Sequence, residues 1–164
     1  MAQKSAGLLL FRRDGGAIEV LLVHPGGPYW RNKDAGAWQI PKGLIEPGED
    51  AASAARREAA EELGMAIEGE PVPLGEIRQT GGKIVEAFAV EADLDATAVH
   101  SNSFEMEWPP RSGRMQSFPE IDAAQWFGID EARNMMLPSQ VPLLDYLREA
   151  AAKLNPPARA RSPQ

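Results

Sequence analysis

An α/β fold is what this sequence predicts. Three observations carry the prediction. Apolar runs of strand length occur near residues 6–12, 18–23 and 83–91, a block of strong helix formers fills residues 51–63, and two further helical patterns follow residue 129. Strand and helix patterns that alternate along one chain imply helices packed on a sheet. The 164-residue length suits one domain, here residues 1–154, large enough to bury a core without disulfides or a structural metal.

Residues 6–12 read as a buried strand, Arg13-Asp14-Gly15-Gly16 as a turn, and residues 18–23 as the second strand of a hairpin. Residues 25–36 form a Gly/Pro/Asn-rich loop with Tyr29, Trp30, Arg31 and Lys33, and residues 37–40 a short strand ended by Pro41. The helix over residues 51–63 starts where Glu49 and Asp50 favour a helix N-terminus and stops at Gly64. Ala51, Ala55 and Ala59, with Leu63, repeat at i+4, a small-residue strip that allows close approach to a neighbour. Residues 74–79 and 83–91 read as strands joined by Thr80-Gly81-Gly82, residues 102–107 as another, and residues 109–119 as a polar loop. A short strand at 125–127, a short helix at 129–136 and an amphipathic helix at 139–154, with Val141, Leu144 and Leu147 on one side, complete the domain. The tail 155–164, with Pro156, Pro157 and Pro163, reads as disordered.

Composition narrows the chemistry. With no cysteine there is neither a thiolate metal site nor a thiol nucleophile, and only His24 and His100 supply imidazoles. A metal would therefore sit among oxygen ligands, which suits Mg²⁺ or Mn²⁺ better than zinc. The net charge of -7 disfavours wrapping a nucleic-acid backbone, yet permits a small phosphate ligand accompanied by a cation. The apolar run after the N-terminus is too short for a membrane span and no cleavage-site pattern follows it, so a cytoplasmic protein is expected. Monomer and homodimer both stay open.

Glu58, Glu61 and Glu62 stand at i, i+3 and i+4, which puts three carboxylates on one helix face. Such a face is ordinarily solvated surface, and its like charges cost the helix ~0.2–0.5 kcal/mol per pair. A divalent cation reverses that sign, and two cations could clamp a pyrophosphate and polarise an attacking water. The surroundings favour the second reading. Arg57 adjoins the cluster, Glu49 can reach back to it, and a Pro41-Lys42-Gly43 turn just ahead could offer backbone groups and an ammonium to a phosphate chain.

Gly43, Glu49, Arg57-Glu58, Glu61-Glu62 and Gly64 match at every spacing the signature of the Nudix hydrolases (MutT-like), G-x5-E-x7-R-E-U-x-E-E-x-G-U with U bulky and apolar. Ala59 is smaller than the usual U residue. The opening strands and Trp126-Phe127 also resemble that family. The resemblance implies an α/β/α sandwich around a mixed sheet, and hydrolysis of a nucleoside diphosphate linked to a further group. It makes Glu58, Glu61 and Glu62 the candidate metal ligands, with the Lys42 carbonyl a possible addition. Glu62 or Glu58 is the candidate general base, and Glu120 the candidate from a later flexible loop. Arg57 is expected to orient rather than ligate, by pairing bidentately with Glu49, and Gly43 to serve backbone conformation.

Substrate choice is less legible. A base could stack on Tyr29 or Trp30, while Trp30 or Trp38 could equally pack the sheet edge; Arg111 and Arg114 could meet phosphates. The runs 20–25 and 36–43 resemble the NTP pyrophosphohydrolase branch, which is the favoured reading, and also the diadenosine polyphosphate hydrolases. The downstream Tyr of the dinucleotide enzymes is unmatched at Gly81-Gly82-Lys83, and the Pro of ADP-ribose hydrolases is unmatched near Thr80. Capped RNA is disfavoured by the absence of a basic stripe. A nucleotide sensor that kept the signature without turnover is the alternative of a different class.

Overall fold

The computed structural model describes residues 4–79 and 81–154; the tail 155–164 lies outside the described residues. Strand β1 (Lys4–Asp14) is the centre of the molecule. Its alternation sends Ala6, Leu8 and Leu10 into one buried layer and Leu9 and Phe11 into the other, so both of its faces are covered. A turn at Gly15-Gly16 leads into β2 (Ala17–Pro25), antiparallel to β1 from Leu10↔Leu21 to Asp14↔Ala17.

The other half of that edge of β1 takes a different partner. The strand expected at residues 37–40 is instead two isolated bridges, and the strand falls three residues further on, as β3 (Lys42–Leu44). β3 pairs with Ser5, Ala6 and Gly7 of β1, and the Leu8 N–H donates to the Pro41 carbonyl at 3.0 Å. Lys42 and Gly43 thus stand in a strand rather than a turn.

Helix α1 (Ala51–Leu63) has the expected bounds, capped by Asp50, whose carboxylate accepts the Ser53 N–H at 2.8 Å. Gly64 ends it in the left-handed region (φ 72°), and a Cβ there would strike the His100 carbonyl. Ala54, Ala55, Ala59 and Leu63 are buried against the sheet, with Ala51 partly so.

β4 (Val72–Arg78) and β5 (Ile84–Glu91) follow as an antiparallel pair, and β5 runs parallel to β1 from Lys4↔Ile84 to Phe11↔Glu91. β6 (Ser103–Glu107) pairs with β7 (Met115–Pro119) in a separate hairpin, so part of the expected 109–119 loop is a strand. β8 (Ile121–Gly128) returns to the main sheet beside β2. Sheet order is β4-β5-β1-β2-β8, with β3 on β1, and the mixture of parallel and antiparallel pairs makes it a mixed sheet. Helices α2 (Ile129–Met135) and α3 (Pro142–Leu154) cover the face opposite α1, where Ile129, Ala132, Leu143, Leu144 and Leu147 are buried. The result is an α/β/α sandwich. Among the described residues no helix is long and apolar enough to cross a membrane.

Candidate active site

The split edge of β1 and the Ala face of α1 together build the site. Because α1 meets the sheet through alanines, its backbone lies close to β3. A Cβ at Gly43 would occupy the space taken by the Glu58 carboxylate. Gly43 is therefore a contact residue for Glu58 as well as a member of a strand. Gln140, fully buried between α2 and α3, supports the approach to β3 from the other layer by accepting the Ile40 N–H at 2.9 Å.

Arg57 makes the bidentate pair expected of it. Its Nε donates to Glu49 Oε2 at 2.8 Å and its Nη2 to Glu49 Oε1 at 3.0 Å. Nη2 also donates to the Leu44 carbonyl at 3.2 Å, Nη1 donates to Glu58 Oε2 at 2.9 Å, and Glu61 Oε2 lies 3.5 Å away. One guanidinium thus ties the loop before α1, the end of β3 and two signature glutamates together. The pair and the Glu46 N–H hold the Glu49 carboxyl below its ordinary range, and Glu49 and Glu58 in turn raise Arg57.

Glu62, one turn beyond Glu58, lines a cleft of 120 Å³ with Lys42, Glu120, Val23, Pro25, Gln39, Ile40 and Ile121. Burial pushes its carboxyl up to about 8, and Glu58 and Glu120 push the same way, while the Lys42 ammonium and backbone N–H oppose them. Glu120 is not in a flexible loop. It stands between β7 and β8, its N–H donating to the Asn102 carbonyl at 2.8 Å and its carbonyl accepting the Gly26 N–H at 2.9 Å. The structure brings Lys42, Glu62 and Glu120 to one cleft, and Gly43, Glu49, Arg57 and Glu58 to the adjoining brace. Trp30 and Arg114 are not among the residues lining that cleft. Trp30 lies beneath the Lys33 ammonium, 5.4 Å from its ring, and Arg114 is in the β6–β7 connection, its carbonyl accepting the Trp108 N–H. Trp38 is core, edge-on to Phe127 at 5.0 Å.

The donors suit a hard divalent cation. All are oxygens, and a desolvated Glu62 facing Glu58 and Glu120 is a carboxyl that a cation would favour in its charged form. Among the described residues, no three His, Asp or Glu side chains are grouped so that they could hold a metal ion.

A residue pair that sequence reasoning did not single out lies beside the cleft. His24 is 6% exposed, with Nδ1 2.8 Å from Asp122 Oδ1 and Nε2 2.5 Å from the Lys33 carbonyl oxygen. No sequence pattern marks it, because Asp122 reaches it only through an irregularity in β8, where the register passes from His24↔Ala123 to Pro25↔Ile121.

The sequence model of the NUDIX domain matches residues 1–147. The chain is 30% identical over 142 residues to the asymmetrical bis(5'-nucleosyl)-tetraphosphatase of Sus scrofa, covering 80% of this chain and 83% of that protein. It is 45% identical over 53 residues to the RNA pyrophosphohydrolase of Caulobacter vibrioides, 29% of this chain and 31% of that one. Against this last protein and a Caenorhabditis elegans tetraphosphatase, the matched segment spans less than half of the relative's length. A crystal structure of a C. elegans Ap4A hydrolase binary complex superposes with a TM-score of 0.63 at 23% identity, over 92% of this chain and 99% of that one.

Proposed function

This chain belongs to the Nudix domain family, and on that premise we propose that it hydrolyses a phosphoanhydride bond in a nucleoside diphosphate linked to another group, with Mg²⁺ or Mn²⁺ as cofactor. The observation that carries the reading is the meeting of Lys42, Glu62 and Glu120 in one cleft beside a Glu58 held by Gly43 and Arg57. Glu58, Glu61 and Glu62, with the Lys42 carbonyl, would hold the cation, which when bound offsets phosphate charge and polarises water.

The protein's own groups do the rest. Glu120, and whichever of Glu62 and Glu58 is free of ligation, can accept a proton from water attacking phosphorus. The Lys42 ammonium meets negative charge on the phosphate oxygens. Arg57 fixes the carboxylates through Glu49, which matters because ligands displaced slightly lose much of their effect. Trp30 and Arg114 are proposed to bind the parts of the substrate that extend beyond the cleft.

The substrate we favour is a nucleoside triphosphate, on the strength of residues 20–25 and 36–43. A second reading, a dinucleoside polyphosphate, is supported by the pig relative, whose match runs over most of both chains. A panel of nucleoside triphosphates, diadenosine polyphosphates, ADP-ribose and nucleotide sugars with Mg²⁺ or Mn²⁺, with products separated by chromatography, tests the proposal. Binding without product across the panel would favour a sensor instead.

A further inference from the structure

We propose that His24 acts as a positioning residue, fixing Glu120 and residues 26–36 against one wall of the cleft; the inference rests on the roles given above to Glu120 and that loop. The starting point is the irregularity in β8. Val23 pairs with Ala124 and His24 with Ala123, but Pro25 pairs with Ile121, so Asp122 is an extra residue in the ladder. Ala124 and Trp126 lean on the α1 layer, and unbroken alternation would send Asp122 there too. Ile121 takes that place instead, and Asp122 is released to meet His24. The extra residue brings Glu120 to the Gly26 N–H at 2.9 Å, and its side chain lines the cleft with Glu62. The His24–Asp122 bond therefore stabilises the irregularity on which the place of Glu120 depends.

The other ring nitrogen reaches the loop, at the Lys33 carbonyl, three residues beyond Trp30. Both partners of His24, a carboxylate and a carbonyl, are acceptors. The ring is 6% exposed, so losing either bond leaves a polar group buried without a partner. Asp34, next to Lys33, accepts the Trp38 Nε1–H at 2.9 Å, and the Lys33 ammonium lies over Trp30. Trp38 itself meets the His24 ring edge-on at 5.2 Å.

The test uses two variants of the full chain. Asp122→Asn keeps a side chain able to hydrogen-bond the His24 Nδ1 and should hold kcat within about threefold. His24→Phe keeps a ring against Trp38 but removes both bonds, and should lower kcat about tenfold or more. Equal kcat in His24→Phe and the wild type, or a loss in Asp122→Asn as large as that in His24→Phe, would refute the positioning role. If no nucleotide is hydrolysed at all, the activity assigned above falls separately. The backbone amides of Glu120 and residues 26–36 then decide: they should shift together in His24→Phe, and unmoved signals would overturn the inference.

Discussion

Replacing Glu62 by Gln should make the metal-free protein more stable at pH 8.5 while removing its activity. The carboxyl of Glu62 is pushed from its ordinary 4.5 to about 8, chiefly by burial and then by Glu58 and Glu120. A raised carboxyl favours the protonated form in the folded state. The unfolded chain gives up its proton as pH passes 4.5, whereas the folded protein holds it until about 8, so stability falls across that window as pH rises. At ~1.4 kcal/mol per tenfold change in proton affinity, the full difference corresponds to ~5 kcal/mol. Residual solvent access to a carboxyl that is only partly buried reduces what a denaturation experiment should read to ~2–3 kcal/mol. Urea unfolding in EDTA at pH 5 and pH 8.5 measures it: the wild type should lose this much between the two, and Glu62→Gln should lose little. Turnover with Mg²⁺ should drop by orders of magnitude in the same variant. A Gln variant as sensitive to pH as the wild type, or less stable than it at pH 8.5, would show that Glu62 is not the strained carboxyl described here.

Other perturbations follow from the same geometry. Arg57→Lys cannot span both oxygens of Glu49 while holding Glu58, and should reduce kcat by roughly 10–100-fold with a folded far-UV CD spectrum. Because Arg57 holds the Glu49 carboxyl low, that pair's contribution to stability should be present above the ordinary carboxylate range and fade as pH falls through it, visible as an acid-side loss that Glu49→Gln removes. Gly43→Ala should cost ~1–3 kcal/mol in thermal unfolding, since the new methyl meets the Glu58 carboxylate. Adding Glu58→Ala should recover at least ~1 kcal/mol of that, a non-additivity that a purely conformational role for Gly43 would not produce. Ala59→Leu should destabilise by ~1–3 kcal/mol and also lower activity, because it lifts the carboxylate-bearing helix from the sheet.

What could be read in advance divides along physical lines. Helix α1 was legible to the residue because capping, propensity and stop signals agree over a single local segment, at Asp50, the alanines and Gly64. The Arg57–Glu49 pair was legible for the same reason, being set by spacing close to one helix end. The displaced β3 was not, since Lys42–Leu44 becomes a strand by pairing with residues some forty positions earlier. β7 reads as loop because Met115, Gln116 and Ser117 are exposed, so no burial pattern imprints itself on the sequence. The β8 irregularity was hidden for a related reason: nothing in the sequence 121–126 says which residue is left unpaired, and with it went the His24–Asp122 contact. Glu120 was found by its place before Trp126, but its restraint at both backbone groups was visible only in three dimensions.

The β6–β7 hairpin leaves the chain at Asn102 and rejoins it at Glu120, and the Glu120 N–H on the Asn102 carbonyl closes that doorway, with the Ser101 hydroxyl accepting the Ile121 N–H beside it. Residues 109–114 at the tip can change length while the doorway stays where it is, because closing a longer loop costs only ~0.6 kcal/mol per doubling. The hairpin's sides, by contrast, bear on the loop after β2, with Phe104 at Gly27 and Trp108 edge-on to Tyr29 at 5.4 Å. Exchanging residues 109–114 is expected to change what the tip meets while Glu62 and Glu120 keep their places, as the proposed function requires.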